Sequence, residues 1–208
     1  MNKTIASAFA AATLLAGTNS ASAQEAFSIR GPSLGAHVNF SAIQSDEGEG
    51  SSAERGIGGG LKLGFGVTDH ITIFLRGDVA SVAYEEDVEE LGADSYTLAN
   101  IDLGGRYSFA SGANAALMPY VELGLSGTSI VDELTIDGDT YDVSYSGGGL
   151  LVGFGLEYFV NRNVAVDGGL MLGKGRLTTF EIEGEPFDGA EDLDYTTVRM
   201  NLGLVFRL

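Results

Sequence analysis

Residues 195–208 read YTTVRMNLGLVFRL. Thr196, Val198, Met200, Leu202, Leu204, Phe206 and Leu208 fall on one side of this stretch; Thr197, Arg199, Asn201, Gly203, Val205 and Arg207 fall on the other. Strict period-two alternation over this length specifies a β-strand with one apolar face. The strand closes the sequence on an apolar residue. Pairing such a last strand with the first would close a barrel and remove both sheet edges, which a membrane requires.

The preceding chain holds seven more segments with the same period. Ser33–Ile43 places Leu34, Ala36, Val38, Phe40 and Ala42 opposite Gly35, His37, Asn39 and Ser41. Gly56–Val67 sets Ile57, Leu61, Leu63, Phe65 and Val67 against Lys62 and a row of glycines, and Ile71–Tyr84 carries Arg76 and Asp78 on its polar side. Thr97–Phe109 puts Asp102 and Arg106 opposite Ile101, Leu103 and Tyr107; Leu117–Ser129 puts Tyr120 and Glu122 opposite Val121, Leu123 and Leu125. Gly148–Phe159 carries Glu157 on its polar side and Val164–Lys174 carries Asp167. Segments of about ten residues suit tilted membrane strands.

The connections alternate in length. Thr68–His70, Ala110–Ala116 and Val160–Asn163 are short, whereas the other four are long and hold most of the 29 acidic residues, among them Glu85–Glu90 and Glu181–Asp194. In an up-and-down meander, alternate connections lie at one end, so short turns and long acidic loops are expected at opposite ends. Asp137-Gly138 and Glu183-Gly184 are hairpin signals that predict strands projecting past the membrane. The stretches LGFG (63–66), LGGRYSF (103–109), VGFGLEYF (152–159) and LGLVFRL (202–208) recur at the ends of even-numbered strands. They align Phe65, Tyr107, Phe109, Tyr158 and Phe206 as an interfacial aromatic girdle.

Alternation leaves open which face looks inward, and a soluble lipocalin-like barrel would put the apolar face inside. The polar face decides. Lys62, Arg76, Arg106, Arg199 and Arg207 stand against Asp78, Asp102, Glu122, Glu157 and Asp167, a balanced set in a chain of net charge -18. A solvated face has no reason to balance its charges, but an enclosed one does, because a buried unpaired charge costs several kcal/mol. These ten residues are expected to form a lumen charge network. The fold class is therefore all-β: an eight-stranded antiparallel up-and-down transmembrane barrel.

Met1-Asn2-Lys3, the apolar run Ile5–Gly17 and Ala21-Ser22-Ala23 compose a secretory signal peptide. Residues 1–23 are expected to be removed, leaving a barrel domain at 24–208. Cysteine is absent, which rules out disulfides and thiol chemistry. The negative charge argues against nucleic acid as a partner.

With its signal peptide, eight strands, alternating loops and terminal aromatic strand, the mature chain resembles the small outer-membrane barrels of the OmpA/OmpX and Opa type. The last strand is similar to their C-terminal assembly signal, which usually ends in Phe; here Leu208 ends it and Phe206 lies two residues earlier. The resemblance implies residence in a Gram-negative outer membrane among its lipids and lipopolysaccharide. It also implies delivery by periplasmic chaperones and insertion by the barrel assembly machinery, here as an expected monomer. OmpA proper continues into a peptidoglycan-binding domain, and that function is not carried over.

Catalysis has little material. His37 with Ser41 is the one candidate pair, but i, i+4 spacing separates them by about 13 Å along a strand, too far for a base to reach a nucleophile. His70 beside Asp69 reads as a turn residue. Arg76-Gly77-Asp78 spells an adhesive tripeptide, yet it lies mid-strand with both charges facing the lumen, where no partner could read it. The glycine runs 58–60 and 147–149 lack the Lys-Ser/Thr and helix of a phosphate loop. No enzyme activity, catalytic residue, metal site or cofactor is expected, beyond weak Ca²⁺ or Mg²⁺ binding at the acidic loops. A structural or surface-interaction role, in envelope integrity or adhesion, is the primary expectation. A narrow porin-like ion channel is the alternative, and a lipid-modifying enzyme is less favoured.

Overall fold

The computed structural model describes residues 28–45, 53–83, 95–109, 116–136, 139–187 and 192–208. The strands are β1 (Gly31–Ser45), β2 (Glu54–Gly66), β3 (Ile71–Ala83), β4 (Ser95–Ser108), β5 (Leu117–Ile136), β6 (Asp139–Phe159), β7 (Val164–Ile182), the two-residue β8 (Glu185–Pro186) and β9 (Leu193–Arg207). Each long strand pairs antiparallel with its neighbour in sequence, and β1 pairs with β9, which closes an eight-stranded barrel. No described helix is long and apolar enough to cross a membrane; the strands do the crossing.

The registers fix the barrel's dimensions. Pairing carries Phe206 to Leu34, Leu63, Leu75, Leu103, Leu125, Leu150 and Lys174, and back onto β9 at Thr196, ten residues before its start. Eight strands with that stagger tilt by about 40° and enclose a backbone cylinder of about 8 Å radius. Such a cylinder leaves room for side chains and little else.

The faces sort as the alternation requires. Leu123 (65 % exposed), Leu150 (63 %) and Leu202 (57 %) point outward, while Arg199 (0 %) and Glu157 (1 %) point into the lumen. Phe65, Tyr107, Phe109, Tyr158 and Phe206 all lie outward at the turn end. Tyr107 meets Phe109 edge-on at 5.1 Å and stacks on His70 at 5.7 Å. His70 is indeed a turn residue, its Nδ1 lying 3.1 Å from the Ser108 carbonyl oxygen. The Thr68 hydroxyl accepts from the Ile71 amide at 3.0 Å and the Asn161 side chain from the Val164 amide at 2.9 Å, so local polar caps make these turns.

The strands run longer than alternation alone indicates. β5, β6 and β7 continue to Ile136, Asp139 and Ile182, so the fifth connection is a hairpin rather than a loop. Its turn, Asp137-Gly138, lies outside the described residues, but Ile136 and Asp139 pair across it. Glu183 and Gly184, at φ 53° and 75°, link β7 to β8 with both residues left-handed, the geometry a two-residue hairpin favours. Glu54, Asp132, Asp142, Glu181, Glu185 and Asp194 therefore belong to strands, not loops. Leu208 lies one residue past β9, its amide donating to the Pro32 carbonyl at 3.1 Å. The signal segment and the acids at 46–49, 85–94, 188 and 191 lie outside the described residues.

Candidate functional site

The lumen is layered. At the loop end, Ile43, Val82, Tyr96, Leu98, Leu177 and Tyr195 form a buried apolar plug. A second plug at the turn end joins Met118, Phe159 and Ala165 to Ile29, which precedes β1 and folds back across the mouth. The exposed Arg30 guanidinium fastens that segment to Asp69 at 2.8 Å and holds the Asp69 carboxyl below its ordinary range through a hydrogen bond.

Between the plugs lie the charges, all ten of the residues singled out above, joined in one chain of contacts. Arg199 donates to Asp78 at 2.8 Å and to Asp102 at 2.9 Å. Arg76 donates to Asp102 at 2.9 Å and to Glu122 at 3.1 Å. Glu122 also accepts from Lys62 and, at 2.8 Å, from Arg106. Arg106 continues to Glu157 at 3.2 Å and Asp167 at 2.6 Å, and Arg207 reaches Glu157. Desolvating so many ions costs several kcal/mol each, and only shared, charge-assisted hydrogen bonds offset that. Sharing is what each carboxylate between the plugs provides.

Aromatic faces and small groups complete the packing. The Arg106 guanidinium lies 3.5 Å from the Tyr120 ring centre, and Lys62 Nζ lies 4.3 Å from that of Phe74. Tyr120 donates to Asp167 at 3.0 Å, and Ser126 to Asp102 at 2.6 Å. A Cβ at Gly169 would lie 2.5 Å from the Tyr120 hydroxyl. Glycine there makes room for a lumen side chain.

His37 enters the network as well, Nε2 lying 2.5 Å from Asp78. Ser41 turns instead to Asn39 at 3.3 Å, so the structure gives the candidate pair separate partners. Arg76 and Asp78 of the tripeptide are both inside the barrel. Among the described residues no group of three or more His, Asp or Glu converges as a metal site would. Sequence reasoning missed the plugs. Apart from Ile29, which lies in no strand, their apolar residues lie on the polar face, where alternation gives no signal.

A closed eight-stranded barrel, apolar outside and ionic inside, is matched at the level of sequence. The model of the outer membrane protein beta-barrel domain covers residues 9–206. The chain belongs to that family. It is an outer-membrane β-barrel protein, porin-like in architecture. Similar solved structures include Neisserial surface protein A (NspA), with a TM-score of 0.62 and 14 % identity over 85 % of this chain and 97 % of that one. OprG from Pseudomonas aeruginosa follows with 0.55 and 14 % identity, over 87 % and 98 % of the two chains. Ail, the attachment invasion locus protein of Yersinia pestis, gives 0.50 and 17 % identity over 85 % and 99 %. At these identities the likeness is one of fold. No curated protein sequence matches the chain.

Proposed function

We propose that this barrel is a non-conducting, non-enzymatic protein that acts through its loop end and outer wall, stabilising the envelope or binding at the cell surface. The observation that carries this reading is the filled lumen: an apolar plug at each end and a shared ionic network between them. A barrel whose lumen is filled in this way, and whose described residues set no base beside a nucleophile, acts through its surface. By the rule for such barrels, the short turns face the periplasm and the long acidic connections face outward.

The wall at the loop end supports contact with lipopolysaccharide. Arg55 on β2 and Lys174 and Arg176 on β7 project outward above the apolar band, and Arg176 is held by Asp194 at 2.6 Å and Asp192 at 3.5 Å. Cations at that height can meet outer-leaflet phosphates directly, and Ca²⁺ or Mg²⁺ shared with the loop acids would add to this. Calorimetric titration with and without the Glu85–Glu90 and Glu181–Asp194 acids tests the divalent part. Equal, millimolar-or-weaker binding by both forms removes it.

Planar-bilayer recording tests the main reading. Refolded protein should give no stable unitary current. A steady conductance, altered by Glu122→Ala or Arg106→Ala, would replace the proposal with the narrow ion pore.

A further inference from the structure

Between the ionic network and the turn-end plug lies a small cavity, about 20 Å³, which holds one water-sized group. Among the described residues its polar lining consists of Lys62, Arg106, Arg207, Ser33 and Thr72, with no carboxylate. The acids that pair with these cations, Glu122, Glu157 and Asp167, come from β5, β6 and β7, whereas the cavity is walled by β1, β2, β3, β4 and β9. The cations are thus drawn toward one wall by their carboxylates, and the cavity lies on their other side. Two of their N–H groups, Arg106 Nη2 and Arg207 Nε, are buried and have no acceptor among the described residues.

From this geometry we propose that the cavity is a binding site for one small monovalent anion, a halide such as chloride. A water molecule accepts two hydrogen bonds and must place two protons of its own, and a lining of ammonium, guanidinium and hydroxyl groups offers few acceptors. A halide accepts from every side and has no protons to place. A space of about 20 Å³ suits a halide better than the larger phosphate or sulfate. Glycine keeps the space open: a Cβ at Gly64 would lie 2.5 Å from Ser33 Oγ and 3.3 Å from Thr72 Cγ2. The site goes beyond the surface role proposed above and is independent of it, since an anion held at one place in the lumen carries no current.

The test uses the full mature chain refolded in detergent. Thermal midpoints in sodium chloride and sodium gluconate at equal ionic strength should differ by about 3–6 °C in favour of chloride, as expected for a ligand near ten times its Kd. Crystals soaked in bromide should give an anomalous peak within hydrogen-bonding distance of Arg106 and Arg207. Ser33→Ala with Thr72→Val, which leaves every charge in place, should at least halve the chloride shift, and Gly64→Ala should abolish it. If Gly64→Ala does not fold, the double variant and the bromide peak still decide. Equal midpoints in the two salts, or water in the cavity with bromide confined to the protein surface, would overturn the assignment.

Discussion

Arg199 is the residue on which the network can be tested most sharply. It is fully buried and donates to two carboxylates, Asp78 at 2.8 Å and Asp102 at 2.9 Å. Arg199→Met keeps most of the side-chain volume and removes both contacts. Taking one partner from a buried ion pair costs about 3–5 kcal/mol, because the other charge stays buried. Here each carboxylate keeps a partner: Asp78 retains His37 at 2.5 Å, and Asp102 retains Arg76 at 2.9 Å and Ser126 at 2.6 Å. The loss should therefore fall at the low end, about 3 kcal/mol. Arg199→Lys keeps the charge but cannot fork between two acids, and should lose roughly half as much. The chain has no tryptophan, so urea unfolding in phospholipid vesicles is best followed by circular dichroism. The midpoint should fall with the slope unchanged, and Asp78→Asn added to Arg199→Met should recover part of the loss. A cost below about 1 kcal/mol, the worth of an exposed pair, would mean that water screens the lumen. The closed-lumen argument would then fail.

Three further outcomes are expected. Leu202→Arg, on the lipid face near mid-membrane, should cost about 2–4 kcal/mol in the same unfolding assay, and Leu202→Ala far less. Gly155→Ala, whose Cβ would lie 2.5 Å from Tyr120 Cζ, should cost about 1–3 kcal/mol, whereas Gly77→Ala, with nothing within 4 Å, should be neutral or slightly stabilising. Asp69 should titrate below the ordinary carboxylate range, because Arg30 hydrogen-bonds its charged form. A carboxyl with a depressed folded-state pKa adds stability above its unfolded pKa and loses it as pH falls through the folded one. In an NMR titration, Arg30→Ala should return the Asp69 midpoint to the ordinary value.

The wall of this barrel was legible in the sequence because lipid and lumen impose opposite demands on alternate residues. Val38 must be apolar and Asn39 need not be, and that contrast survives in every strand across the membrane. It fades where the demand fades. From Val79 to Ala83 the residues on both faces of β3 are small or apolar. Nothing in that run marks Val82 as a plug residue rather than a lipid-facing one. Leu177 lies beyond Lys174, where the apolar alternation of β7 ends, and Ile29 lies in no strand. The extra length of β7 also passes a register shift at Ser146/Gly147, which turns Phe180 to the same side as Tyr145, 4.4 Å away. A bulge changes the face without leaving a residue signature.

The ionic pairs were hidden for a different reason. Sequence patterning gives membership of the lumen face, but pairing there is not confined to neighbouring strands, as Arg76–Asp102 and Arg106–Glu122 are. Arg199 on β9 meets Asp78 on β3 and Asp102 on β4, 121 and 97 residues away. Arg106 on β4 passes over β5 to reach Glu157 on β6 and Asp167 on β7. In a cylinder of about 8 Å radius an arginine spans most of the distance from wall to axis. Any mid-lumen cation can then reach several mid-lumen carboxylates, and many pairings satisfy the same charge balance. What selects one is axial height, which depends on the ten-residue stagger, together with aromatic faces such as Tyr120 that steer a guanidinium. Both arise from closure of the sheet, so the pairing across the lumen is a property of the barrel as a whole and of no segment of its sequence.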